Sequence, residues 1–229
     1  ASVLTIALLL VSPRFIGHSF NNLKDIPFAT ASIMSIYYMT KFLQQLPKIK
    51  ISTSIMLTLS IVLTMSVRGG GLLMIAYFGL FATIYYLYKR KTLKPVFWKT
   101  LVWALGICII AYILTIFTWP YAMEGPIKNV FDAFFNMNKF AIFIRQNFEG
   151  IAQWSNDLPW YYSSKFILIT IPIVVILGFI FALIFLFYNK KQWFSYFVLI
   201  FSTIFPVFWV TVNNSNVYGG WRHLIFMYL

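Results

Sequence analysis

Apolar runs of bilayer-spanning length recur along nearly all of this chain, separated by short turns that carry most of its charge. A helix crossing the hydrocarbon core needs about 20 mainly apolar residues. Lipid offers no partner to a free backbone N–H or C=O, so a run of that kind folds as a helix. Of the 229 residues, 61% are hydrophobic and only 10% charged, against about 25% charged in a soluble domain. A chain so poor in charge cannot cover a water-facing surface. The expected fold class is therefore all-α, a polytopic transmembrane helical bundle forming one domain over residues 1–229.

The segments are expected as follows. Helices run from Ala1 to about Phe15, Ile26 to about Leu43, Ile51 to Val67, Leu72 to Tyr88, Val96 to Trp119, Phe166 to Tyr188 and Phe194 to Val212. That makes about seven spans, with Trp221 opening an eighth. Pro27 suits the first turn of its helix, where a missing N–H costs little. Residues 120–164 form a non-spanning outward section. Within it, Pro126 to Arg145 places Val130, Phe131, Phe134, Phe135, Asn138 and Ile142 near i, i+3, i+4 spacing. This pattern describes an amphipathic juxtamembrane helix in the interface plane, either a plain cover or a substrate gate. Both chain ends fall within apolar runs, so the sequence is expected to be a fragment of a longer protein. No basic N-terminal region marks a signal peptide, and the lone Cys108 makes no internal disulfide.

Charge placement sets the expected orientation. Lys41, Lys48, Lys50, Lys89, Arg90, Lys91, Lys94, Lys99, Lys190 and Lys191 fall in the turns of one side, with no acid among them. The other side holds Arg14, Lys24, Arg68, Lys128, Lys139, Arg145, Lys165 and Arg222, together with all five acids, Asp25, Glu124, Asp132, Glu149 and Asp157. Cytoplasmic loops collect Lys and Arg, so the lysine turns are read as cytoplasmic. The net charge of +13 is thus spread through membrane loops rather than gathered on a nucleic-acid-binding face. No nucleic acid is expected as a partner, whereas membrane lipids are.

One outward stretch stands apart. Between Ser12 and Phe28 lie Arg14, His18, Asn21, Asn22, Lys24 and Asp25, and Asp25 is the only acid in the first 123 residues. Ionisable groups are costly in a bilayer and belong at its surface or in a wet cavity. Positive neighbours favour the charged form of a carboxylate, which suits a general base or a metal ligand. Three outward features are expected to meet over one cavity: Arg14/His18/Lys24/Asp25, Arg68 with Gly69-Gly70-Gly71, and Trp221/Arg222/His223. Arginine grips phosphate through a planar fork of donors, and a glycine run lets backbone approach a ligand closely. The plainer readings are that Arg14, Arg68 and Arg222 snorkel to headgroups and that both histidines are structural. Two histidines without nearby cysteines do not make a zinc site. Trp160 and Tyr161 fit an aromatic interfacial belt, while Tyr162 suits the lining of a cleft.

The stretch Ser-Pro-Arg-Phe-Ile-Gly-His-Ser-Phe-Asn-Asn-Leu-Lys-Asp-Ile-Pro-Phe (12–28) resembles an outward loop of bacterial GT-C-type glycosyltransferases. These are relatives of the dolichyl-phosphate-mannose protein mannosyltransferases and the aminoarabinose transferases. Trp119-Pro120-Tyr121, Glu124-Gly125-Pro126, Leu158-Pro159-Trp160-Tyr161-Tyr162 and Tyr218-Gly219-Gly220-Trp221-Arg222-His223 are similar to further signatures of that group, in the same order. The resemblance implies an inverting transfer of a sugar from a polyprenyl-phosphate donor to a lipid, glycan or protein acceptor. It implies a reaction centre at the outer, periplasmic face of a bacterial inner membrane, with or without a divalent ion such as Mg or Mn. The family's first acidic motif would lie upstream of Ala1. Asp25, with Pro27 two residues on, matches the second acidic position, and is the expected catalytic residue and a candidate metal ligand. Arg14, His18, Lys24, Arg68, Tyr162, Trp221, Arg222 and His223 are the expected substrate-binding residues. Two rival classes are a flippase for an anionic lipid-linked substrate and a non-catalytic subunit of a membrane assembly. The shortage of midspan charges speaks against the flippase.

Overall fold

In the computed structural model, residues 2–136, 143–188, 192–213 and 215–228 are described. The chain is mainly helical. Its helices are α1 (Ser2–Val11), α2 (Pro13–Asn21), α3 (Asp25–Gln45), α4 (Ile51–Val67), α5 (Leu72–Tyr88), the short α6 (Arg90–Leu93), α7 (Phe97–Thr118), the short α8 (Pro120–Glu124), α9 (Lys128–Asn136), α10 (Tyr162–Thr170), α11 (Ile173–Tyr188) and α12 (Trp193–Val212). Single 3-10 turns cover Gly69–Gly71, Lys94–Val96 and Arg222–Met227. Three helical stretches among the described residues are long and apolar enough to cross a membrane, Gly69–Tyr88, Arg90–Thr118 and Trp193–Val212. The number rises to five if each of two bent pairs is one span. Ile51–Val67 is apolar but shorter. The apolar helices mark a membrane protein, with fewer qualifying spans than the seven expected.

Proline explains two of the departures. The first expected helix breaks after Val11, and α1 meets α2 at 79°. Pro13 opens α2 while Ser12 is extended, with φ −76° and ψ 107°. A residue before proline is pushed out of the α region, and proline itself suits a helix's first position. The same logic splits Phe166–Tyr188. Ile171, ahead of Pro172, has φ −84° and ψ 134°, and α10 and α11 meet at 111°. Pro206, by contrast, sits inside an unbroken α12.

The all-α expectation is also corrected. Arg145–Phe148 (β1) pairs antiparallel with Ile151–Trp154 (β2), Arg145 opposite Trp154 and Phe148 opposite Ile151. Glu149 and Gly150 make the turn with φ of 54° and 80°, the two positive values that a tight hairpin turn demands. The amphipathic helix is therefore only Lys128–Asn136 in its described part, and Arg145 belongs to a strand. Asn138, Lys139 and Ile142 lie outside the described residues, as do Lys190 and Lys191. Of the segment that Trp221 opens, Arg222–Met227 is a 3-10 turn.

The chain divides into two compact units, Ala1–Ile26 with Asn138–Leu229, and Pro27–Met137. In the second, Met39, Leu57, Ile61, Met74 and Phe81 are fully buried. Lipid tails are as apolar as these side chains, so close packing and interhelical hydrogen bonds hold such helices together. Ser35 on α3 bonds Thr64 on α4, Oγ to Oγ1, at 3.2 Å. Ser66 on α4 bonds Thr118 on α7, Oγ to Oγ1, at 2.6 Å. Both of these residues close their helices, so α4 and α7 run parallel. The Gly69–Gly71 turn doubles back on α4, and a Cβ at Gly71 would stand 2.5 Å from Met65 Cα. The turn also carries α9, for a Cβ at Gly69 would stand 3.1 Å from Ala133 Cβ. Val130 of α9 is buried while Phe131 and Phe135 are exposed, as an interfacial helix requires.

Gly71→Ala should destabilise the protein by about 1–3 kcal/mol, the usual cost of overpacking. Gly79→Ala, whose Cβ meets nothing within 4 Å, should be neutral or slightly stabilising. Thermal unfolding of the two variants in one detergent checks the contrast.

Candidate functional site

The polar cluster of the first unit is assembled around Asp25. Its residue is 2% exposed, in the first turn of α3, where the helix dipole favours negative charge. Asn22 sets the turn. Its Oδ1 accepts from the backbone N–H of Asp25 at 2.9 Å and of Lys24 at 3.2 Å, and its Nδ2 donates to Asp25 Oδ2. Asn22-x-x-Asp25 is thus a local capping arrangement, legible as the cap-plus-acid spacing that begins many helices. Arg222 Nε lies 3.6 Å from Asp25 Oδ2, an ion pair whose arginine side chain is 35% exposed. The guanidinium stacks over the Tyr218 ring at 4.9 Å, and the His223 ring meets Tyr218 edge-on at 4.7 Å.

The second arginine enters from α2. Arg14 Nη2 donates to the carbonyl of Gly219, and the guanidinium lies 6.0 Å from the Phe166 ring centre. That approach requires glycine at position 220. Gly219 and Gly220 have φ of 67° and 69°, and a Cβ at Gly220 would stand 2.9 Å from Arg14 Cζ. The Gly220 N–H donates to Tyr162 Oη at 3.0 Å, and the Gly219 N–H to Gln146 Oε1 at 2.9 Å. Trp221, fully buried, donates Nε1–H to Thr170 Oγ1 at 2.6 Å. Gln146 and Thr170 are hydrogen-bond partners of the cluster that the sequence does not single out. Neither has a motif, and each is recruited only by the fold.

His18 of α2 completes the cluster. We read α2, with Arg14, His18 and Asn21, as an interfacial arm outside the spans. The His18 pKa is held below the usual imidazole value of 6.5, first by burial and then by Arg14 and Arg222, with Asp25 opposing. Burial also works against the Arg14 charge, and Arg222 adds to that effect. Both arginines keep a buried Nε with no hydrogen-bond partner among the described residues. Buried donors are nearly always satisfied; Arg222 Nε has the Asp25 carboxylate within ion-pair distance, whereas Arg14 Nε has no hydrogen-bond partner among the described residues.

Beside the cluster lies a cleft of about 290 Å³. Tyr162 and Val217 form its side nearest the glycine turn, and Ser155, Asp157, Trp160 and Ser163 supply its polar and aromatic lining. Asn156 Nδ2 donates to Asp157 Oδ1 at 3.0 Å. Trp160 is 68% exposed. The hairpin is tied in at Ser155, whose Oγ accepts from Ile144 N–H at 3.0 Å.

Lys24 and Arg68 complete the set of expected residues. Lys24 is exposed. Arg68 belongs to the second unit, at the end of α4, with its guanidinium 5.9 Å from the Phe28 ring centre. Among the described residues no group of three His, Cys, Asp or Glu gathers to hold a metal. Mg and Mn want several oxygen ligands, whereas Asp25 is a single carboxylate facing the Arg222 and Asn22 donors. Comparison with family models, curated proteins and solved structures finds no match to this chain.

A depressed imidazole pKa means that the unfolded chain takes up the proton first. Stability from His18 is therefore present above pH 6.5 and lost as pH falls below it. An NMR titration should place the His18 midpoint below 6.5. His18→Gln should flatten the decline in stability between about pH 7 and pH 5.

Proposed function

We propose that this chain is a polytopic membrane glycosyltransferase that takes a sugar from a polyprenyl-phosphate donor at the outer face of a bacterial inner membrane. The observation that supports the reading is the convergence of two arginines, Arg14 with a buried Nε that makes no hydrogen bond among the described residues and Arg222 paired with Asp25, beside a cleft lined by polar and aromatic side chains. A sugar leaves its lipid carrier as the phosphate gathers charge. Cations held in place beforehand stabilise that charge without reorganising. Arg222 and Arg14 fill this role. Arginine suits it better than lysine, because its planar fork matches phosphate geometry.

Burial changes the part assigned to Asp25. At 2% exposure it cannot meet an acceptor hydroxyl, so it is a positioning residue that holds Arg222 toward the phosphate. The cleft takes a sugar: Asp157 and Asn156 accept and donate to hydroxyls, and the exposed Trp160 indole covers an apolar ring face. Its volume of about 290 Å³ is at the small end for ligand sites and fits a single sugar ring. Tyr162, which lines the cleft and accepts from Gly220, joins it to the arginine turn. No step here uses a metal.

The test is transfer from a labelled polyprenyl-phosphate sugar by the intact protein in vesicles. Arg222→Gln should lower the rate per folded molecule by about 10²–10³, the usual loss for one charge-stabilising donor, beyond any loss of folded protein from leaving Asp25 without its charge partner. Asp25→Asn should act mainly on donor KM, since it loosens Arg222 without removing it. Label that crosses the bilayer on its carrier would instead identify a flippase. Unchanged transfer in Arg222→Gln would contradict the reading.

A further inference from the structure

The second unit carries a separate feature, an apolar groove of about 410 Å³ between α4 and α7. Ser54, Thr58 and Ile107 form its buried floor, and exposed side chains such as Ile55, Val102 and Ile110 form its walls. The floor hydroxyls are spent within α4, Ser54 Oγ on Lys50 O at 3.2 Å and Thr58 Oγ1 on Ser54 O at 2.9 Å. To a ligand, the floor is therefore apolar. Along α7 the groove extends from Val102 to Leu114, about 18 Å at helical rise. That is close to one leaflet's share of a hydrocarbon core about 30 Å thick. The groove has the length of one acyl chain and lacks the polar groups that a soluble ligand needs.

Its two ends differ in charge. Because α4 and α7 run parallel, both helix N-termini lie at the same end. There Lys48 and Lys50 precede α4, and Lys99 lies in the first turn of α7, all three exposed. The acids of this unit, Glu124 and Asp132, follow α7 and so belong past its other end. The mouth of the groove is thus purely cationic, with the N-terminal dipole of α4 adding positive potential. Juxtamembrane lysines attract anionic lipid.

We propose that this groove is a binding site for one anionic phospholipid of the lysine-side leaflet, its acyl chain along α4 and α7 and its phosphate met by Lys50 and Lys99. The inference rests on the second unit alone and stands apart from the transfer chemistry. A zwitterionic lipid offers the same phosphate but brings its own cation to the lysines, so it gains less at that mouth and the site selects by net headgroup charge. Gly106 in the groove offers a clean probe, since a Cβ there meets nothing within 4 Å. A larger side chain would fill the groove without displacing protein atoms.

The test is native mass spectrometry of the delipidated full chain titrated with phosphatidylglycerol or phosphatidylcholine. Phosphatidylglycerol should be retained about tenfold more strongly. Lys50→Gln with Lys99→Gln should bring the two lipids level, chiefly by lowering phosphatidylglycerol retention. Gly106→Leu should lower retention of both without lowering the thermal unfolding midpoint. Equal retention of the two lipids by the unaltered chain would overturn the proposal. So would a groove that binds as before in a folded Gly106→Leu protein, or a two-chain mass lost on filling it, which would make a second copy the occupant.

Discussion

The arrangement of the first unit depends on how one buried carboxylate is compensated. Asp25 lies at 2% exposure, and a carboxylate withdrawn from water needs charged and hydrogen-bonding partners to offset its desolvation. Asn22 supplies the amide and Arg222 the charge. Because Arg222 comes from a distant part of the chain, meeting this need draws the segment around it onto the elbow between α2 and α3. Around that link the other contacts follow. The glycine pair bends so that Arg14 can reach its carbonyl, Tyr162 and Gln146 receive the freed N–H groups, and Trp221 anchors on Thr170. The same link that fixes the turn also aims Arg222.

The second unit is held in another way. Its contacts are small hydroxyls between helices and tightly packed apolar side chains, with glycine where the chain doubles back. These are the means open to helices whose surroundings are already apolar. Such packing leaves a groove where a glycine stands on the outer side of a helix pair, and Gly106 lines the one between α4 and α7. The polar cluster and the apolar groove thus fall in different units of one chain.

Much of this was legible in the sequence where local rules act alone. Ile51–Val67 and Leu72–Tyr88 are bounded by Lys50 and by the Arg68–Gly71 turn, and the helices keep those bounds. The breaks at Ser12-Pro13 and Ile171-Pro172 are lost when an apolar run is read as one span, although the residue before each proline signals them. The hairpin is hidden because Arg145–Trp154 lacks the alternation of a half-buried strand, and Glu149-Gly150 marks only its turn. The polar residues of the site stand out by type against an apolar background. Arg14, His18, Asp25 and Arg222 come together in one unit, with Asn22 capping locally. Gln146 and Thr170 could not be found in this way, since ordinary side chains become partners only through long-range folding. Burial of Asp25 is likewise a tertiary property, and it changes the role that the residue type alone suggests.

The central claim is that Asp25 and Arg222 act as one unit. A double-mutant cycle on unfolding free energy, with Asp25→Ala, Arg222→Ala and the pair, measures this directly. The account predicts a coupling of about 1–3 kcal/mol, the range found for residues in one ion-pair network. Losses that add to within about 0.5 kcal/mol, as for independent sites, would contradict it.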